Sequence, residues 1–425
     1  AMVIACILNM TTVASLSELN ALMPNTTGGL AQYTLACMGP FPTIISMVGG
    51  YILCNVLSCG VEASIFSYAM SDTFSFLHIP SLGYVLIVTT LLMIANLFGV
   101  DIFAKLQDVV AFLLVGSMLL MGIIGAIGIG FGKKIDQPYT MATDFKSIVS
   151  MTAVAFWLFI GAEYVIPVSK SVKNAKRNVP LGMMMGLICI VQSILVFGFH
   201  NYVPWAELAD SPAPHLLYGM NLLGTFGKIW MTLVAAFAVV STQNSTVNAL
   251  ASICQGMAKM NMMPQVFAKT NRHGVPYVGV VFVSVMIFVF SALSNNSSDA
   301  ISFLILVGSV FWMISYILAH MDVLILRKRF PKAPRSFKVP FGPAIPVIGI
   351  LGTIYMILNI STDTAERNAI WLVTGGTFLL LGIYAFFWIK YKMKMPVFKS
   401  VSMEKVMAME NDIYYTIRKR RGIWK

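Results

Sequence analysis

A chain of 425 residues is long enough for two or three soluble domains. Its composition excludes them: 58% of the residues are hydrophobic and 11% charged, where soluble domains carry roughly a quarter charged residues. The mean hydropathy is +0.80 and the net charge +12. So few polar side chains cannot cover a water-facing surface, so the chain reads as a polytopic membrane protein. Nucleic acid is not an expected partner despite the positive charge.

Eleven apolar runs follow one another at roughly 1–20, 40–70, 81–98, 108–131, 147–169, 181–204, 228–257, 276–294, 300–325, 341–360 and 369–391. A bilayer-crossing helix needs about 20 such residues. The runs are continuous rather than alternating, which predicts an all-helical protein with eleven crossings and not a barrel. Ala1 already lies in the first run, with no basic stretch before it, unlike a signal peptide.

Orientation comes from the basic residues. With residue 1 outside, the segments near 18–40, 98–108, 169–180, 257–276, 325–341 and 391–425 face the cytoplasm and hold 24 of the 29 Lys and Arg residues. The C-terminus is therefore expected inside. The expected division is a membrane domain, 1–391, and a basic cytoplasmic tail, 392–425, lying on anionic lipid. An odd number of crossings with an outside start leads to the expectation of one further helix before Ala1.

Two carboxyl groups lie well inside apolar runs, Glu62 and Glu163, and a charge at that depth is costly enough to suggest function. Asn55, Ser58, Cys59 and Glu62 share one helix face. That face either lines a substrate cavity or hydrogen-bonds to a neighbouring helix. Gly161 and Ala162, just before Glu163, allow a helix to unwind in mid-span and offer free backbone groups to a substrate. The other reading is a small-residue packing contact with a protonated carboxyl. Ser241 to Thr246, then Asn248, form a polar patch that must face protein or water. Gly308, Ser309 and Trp312 read first as packing, with Ser309 kept as a lining candidate. The five histidines show no metal-ligand spacing, and no metal or cofactor is expected.

Longer motifs then carry a family resemblance. Phe159-Ile160-Gly161-Ala162-Glu163 followed by Val172-Lys173-Asn174-Ala175-Lys176-Arg177-Asn178-Val179-Pro180 resembles the sixth helix and next loop of the amino acid–polyamine–organocation superfamily. Ser15-Leu16-Ser17-Glu18-Leu19 with Pro24, Gly28-Gly29, Tyr33 and Gly39-Pro40 resembles its second helix and first cytoplasmic loop. Val203 to Leu208, Met263 to Ala268 and Arg335 to Pro343 resemble its later loops, in family order. The style is that of the arginine–agmatine antiporter branch. The resemblance implies a leucine-transporter-like fold of two inverted repeats, with the eleven spans standing for family helices two to twelve. It also implies that the further helix expected before Ala1 carries half of the substrate site.

By the same resemblance Trp157, Ile160, Gly161 and Ala162 contact substrate, and Glu163 takes part in proton-linked gating. Counting from Gly39-Pro40 and from Pro264 adds Ser58 and Thr246; Asn55 and Ser309 complete the candidate lining, and Glu62 is a second coupling candidate. The position where some proton-coupled relatives carry a lysine is Leu114, so a lysine relay is not expected. The implied function is secondary active transport of amino acids or amines by alternating access, through exchange or proton coupling. The lipid bilayer and, further, a second copy of the chain are the expected partners. An intramembrane enzyme lacks support, since HExxH, GxSxG and paired intramembrane aspartates are all missing. A truncated transporter without function is the remaining alternative.

Overall fold

The computed structural model describes residues 1–23, 29–99, 102–138, 144–166, 172–185, 190–294, 297–333 and 335–409. The described residues form helices and connecting turns. In order these are α1 (Met2–Leu22), α2 (Leu30–Cys37), α3 (Pro40–Thr73), α4 (Ser81–Leu97), α5 (Ile102–Ile127), α6 (Phe145–Trp157), α7 (Ala175–Met185), α8 (Ile190–Tyr202) and α9 (Trp205–Asp210). There follow α10 (Pro214–Lys259), α11 (Tyr277–Ser294), α12 (Ser298–Arg329), α13 (Ala344–Leu358), α14 (Thr364–Trp388) and α15 (Met403–Met409).

Eight helical segments are long and apolar enough to cross a bilayer, and α4 and α13 are shorter apolar helices. These correspond to ten of the eleven apolar runs. The remaining run, 181–204, is divided between α7 and α8, and its residues 186–189 lie outside the described residues. Non-helical angles at Leu223 and Gly224 divide α10, so its N-terminal part is a separate short helix before the crossing.

Helix ends group as the alternation of loops requires. At one face Glu18 meets Arg327, Ala36 meets Arg329, Leu97 meets Asn271 and Asn261 meets Lys392. These are segments carrying the basic clusters, and this is called the basic face below. At the opposite face Asp72 pairs with Lys228 at 2.8 Å, and Gln137 donates to the carbonyls of His200 and Val203.

The centre of the bundle is α3, packed against α10, α11 and α12. Within α3, residues Ile45–Leu53 take a π-helical register, a local widening often found where a helix carries function. Two residues of the polar patch on α10 bond to α4: Asn96 Nδ2 donates to Asn244 Oδ1 at 3.0 Å, and the Thr89 hydroxyl to Gln243 Oε1 at 3.4 Å.

The sequence placed only Glu62 and Glu163 deep in the apolar runs, yet Glu18 and Asp322 are also buried. Glu18 accepts from Arg327 Nε at 2.9 Å and Nη2 at 2.5 Å, and from the Val339 N–H at 2.8 Å. Arg335 Nε stands 3.2 Å from its other oxygen. Arg327 also donates to the carbonyls of Gly342 and Val339. One carboxylate thus ties α1 to α12 and to the loop before α13. Removing one partner of a buried pair costs about 3–5 kcal/mol because the other charges stay buried. Glu18→Gln is expected to lower the detergent melting temperature markedly; an unchanged melt would show that the two arginines hold the loop without it.

Candidate functional site

α6 ends at Trp157, and the chain leaves the helix over residues 158–161. The helix tightens first, with Leu158, Phe159 and Ile160 N–H groups bonding to carbonyls three residues back. Gly161 then adopts φ +111°, a left-handed value at which a side chain is strained. A single 3₁₀ turn, Ala162–Val165, resumes the chain.

Glu163 occupies this turn and is buried. One of its oxygens accepts from the Gly161 N–H at 3.2 Å, the other from the Tyr316 hydroxyl at 2.6 Å. Trp312 lies beside it. The next residue, Tyr164, donates its hydroxyl to Asn55 Oδ1, and Asn55 Nδ2 donates to the Tyr51 carbonyl at 2.7 Å. The Tyr51 and Tyr164 rings meet edge-on at 6.4 Å. The break is therefore held by α3 on one side and α12 on the other.

The candidates named from sequence fall into three groups. Trp157, Ile160, Gly161, Ala162, Glu163 and Asn55 are brought together at the break. The Trp157 ring meets Trp312 edge-on at 5.6 Å. Its edge lies over Gly308, where a Cβ would come within 2.8 Å. Ile160 and Ala162 are half-buried against the core. Thr246 joins them from α10, buried beside Cys59 and Tyr164. Ser309 is buried on α12, and its hydroxyl has no partner among the described residues. Ser58 is buried too, but its hydroxyl points along its own helix to Glu62 Oε1 at 3.5 Å. Among the described residues the two carboxyl groups do not hydrogen-bond to each other: Glu62 pairs with Ser58, Glu163 with Gly161 and Tyr316.

Three aromatic residues of the site were not singled out from sequence: Tyr51, Tyr164 and Tyr316. The Tyr51 hydroxyl is buried and, like that of Ser309, lacks a partner among the described residues. Buried polar groups left this way usually mark a place for water or ligand. A signal for Tyr316 existed. Ser309, Trp312, Tyr316 and His320 recur at helical spacing, on one face of α12.

That face continues to the membrane surface. After Tyr316 on Glu163 comes His320, with Nδ1 2.9 Å from the Ser15 hydroxyl and Nε2 3.4 Å from that of Thr12. After it comes Arg327 on Glu18. Three polar rungs thus join α12 to its neighbours between the break and the basic face. No group of three or more His, Cys, Asp or Glu residues that could hold a metal ion occurs among the described residues.

The profile of the amino acid permease family matches residues 1–388. The chain belongs to this family. Among its curated relatives, the branched-chain amino acid permease BcaP of Bacillus subtilis (strain 168) is 24% identical over 314 residues, 72% of this chain and 64% of that protein. A putative arginine/ornithine antiporter of the same organism is 27% identical over 239 residues, 54% of this chain and 49% of that one. The match thus spans 49% to 64% of these relatives' length. The crystal structure of the Eremococcus coleocola manganese transporter superposes with a TM-score of 0.58 at 15% identity, covering 92% of this chain and 87% of that one. That likeness extends to the fold, which is leucine-transporter-like as the family motifs implied.

Gly161→Ala tests the break. The left-handed conformation costs an L-residue about 1–2 kcal/mol. The variant is expected to melt lower and to bind substrate more weakly; unchanged melting and binding would mean that the turn tolerates an ordinary side chain.

Proposed function

We propose that this permease is a secondary transporter of amino acids or related amines, working by alternating access. The observation that carries the reading is the interrupted α6, with its backbone turn, Glu163, Tyr164 and Asn55 gathered in mid-bundle. Unwound backbone at membrane depth is tolerated where it is buried in protein or lines a cavity, and such breaks hold substrate and coupling ions in transporters. The backbone N–H and C=O groups around Gly161 can take a carboxylate or an ammonium. Trp157 and Trp312 supply apolar walls, and the hydroxyls of Ser309 and Tyr51 supply polar contacts.

The named relatives handle branched-chain amino acids and arginine or ornithine. Their common element is the α-amino acid head group, so recognition at the break is directed to that group and the side chain is read elsewhere. Glu163 is the coupling residue in this reading, through proton binding or through exchange. Its Tyr316 bond must loosen when its protonation or its substrate contact changes. Residues 1–391 make up the transport domain and 392–425 a basic tail. By the distribution of Lys and Arg the basic face is cytoplasmic. The rungs Tyr316–Glu163, His320–Ser15 and Arg327–Glu18 then close the inner route and part when that side opens.

The test is uptake into proteoliposomes. Labelled leucine or arginine is expected to accumulate, and unlabelled amino acids or amines to compete. Glu163→Gln is expected to flatten the pH dependence of uptake while leaving binding measurable. Failure of every amino acid and amine to compete would refute the reading, and an unaltered pH profile would remove Glu163 from coupling.

A further inference from the structure

The described residues beyond α14 do not lie apart from the bundle. They return across the basic face and dock on α2, the short helix between α1 and α3, and on the first turn of α3. The Phe41 N–H donates to the Val397 carbonyl at 3.1 Å, and the Val401 N–H to the Leu35 carbonyl at 3.2 Å. Gln32 Nε2 donates to the Val406 carbonyl at 3.4 Å. The Phe41 and Phe398 rings stand 5.3 Å apart. Val401 and Val406 are buried, while Ser402, Glu404 and Lys405 are exposed. This is an amphipathic strap with its apolar side down. At its root, Trp388 Nε1 donates to the Asn261 carbonyl at 3.0 Å, and Asn261 Nδ2 to that of Lys392 at 3.3 Å.

Below the strap, α2 is held by α12. The Thr34 hydroxyl donates to Asp322 Oδ2 at 2.7 Å, Cys37 Sγ lies 3.6 Å from the Asp322 carbonyl, and Arg329 Nη1 donates to the Ala36 carbonyl at 3.0 Å. Asp322 and Arg329 share a helix with Tyr316, which holds Glu163, and with Arg327, which holds Glu18. The strap therefore rests on a connector bonded to the helix whose contacts close the basic face.

We propose that residues 397–406 form a releasable brake on the opening of this face. The inference rests on the transporter reading above. While the strap is docked, α2 is gripped from both sides, so α12 cannot leave α1 without dragging α2 from the strap. Among the described residues the strap has few attachments: two backbone hydrogen bonds, one side-chain bond, the Phe41–Phe398 ring contact and two buried valines. It can detach while the bundle stays folded, and detachment frees α2 to move with α12.

The experiment introduces Gln32→Cys and Val406→Cys into the full chain in proteoliposomes and joins the pair with a short bifunctional thiol reagent. The parent protein with its native cysteines is treated identically. Cross-linking is expected to slow amino acid transport on the order of five-fold or more, the lower end of coupling between linked sites, with equilibrium substrate binding retained. In the opposite direction, Val401→Ser with Val406→Ser is expected to speed transport without changing the half-saturating concentration, at an unchanged melting temperature. Unaltered transport after complete cross-linking would overturn the brake. So would slower transport in the double serine variant with its fold intact. A parent protein that neither binds nor moves amino acids would instead refute the transporter reading.

Discussion

A helix that breaks inside a bilayer leaves backbone groups that lipid cannot satisfy, and the break in α6 at Gly161 imposes that constraint here. The rest of the bundle answers it. Glu163 folds back on the Gly161 N–H, Tyr316 of α12 holds the same carboxyl, and Tyr164 reaches Asn55 of α3. Each contact that shields the break also fixes the position of a neighbouring helix. The polar groups of this region thus serve the fold and the proposed site at once.

Polarity elsewhere is used more economically. Asn244 and Gln243, conspicuous in an apolar helix, bond to α4 and hold two helices together. Interhelical hydrogen bonds of this kind are worth about 0.6–2 kcal/mol in membranes, enough to set a register but too little to drive motion. Glu18 differs, because a buried carboxylate facing two arginines must keep all its partners or become a liability. Its bonds join α1, α12 and the loop before α13 at the basic face.

The order of the polar rungs gives the bundle a direction. From Glu163 through His320 to Glu18, the contacts of α12 run toward the basic face, and the ion pair of Arg327 with Glu18 is the last of them. The connector α2 and the strap across it extend the same chain of contacts beyond the membrane-spanning helices.

Hydropathy and charge are properties of short stretches. The sequence alone therefore determined that the chain is a helical membrane protein, roughly where its helices run and which loops share a face. Gly161-Ala162-Glu163 was legible as a break for the same reason: small residues and an acid in mid-span are local signals. Asn55 was named by spacing along its helix, and Thr246 by counting from Pro264 under the family resemblance. What pairs with what was decided only by the tertiary structure. Glu18 and Arg327 are 309 positions apart, and Tyr316 is 153 from Glu163; nothing in either stretch names its partner. Tyr316 had no assigned role before α12 was seen packed beside the break. The docking of 397–406 was hidden because a basic tail reads as lipid-facing, and only the folded chain shows two valines turned onto α2. Helix formation is encoded residue by residue, but the choice among apolar faces of similar energy is made when all the helices meet.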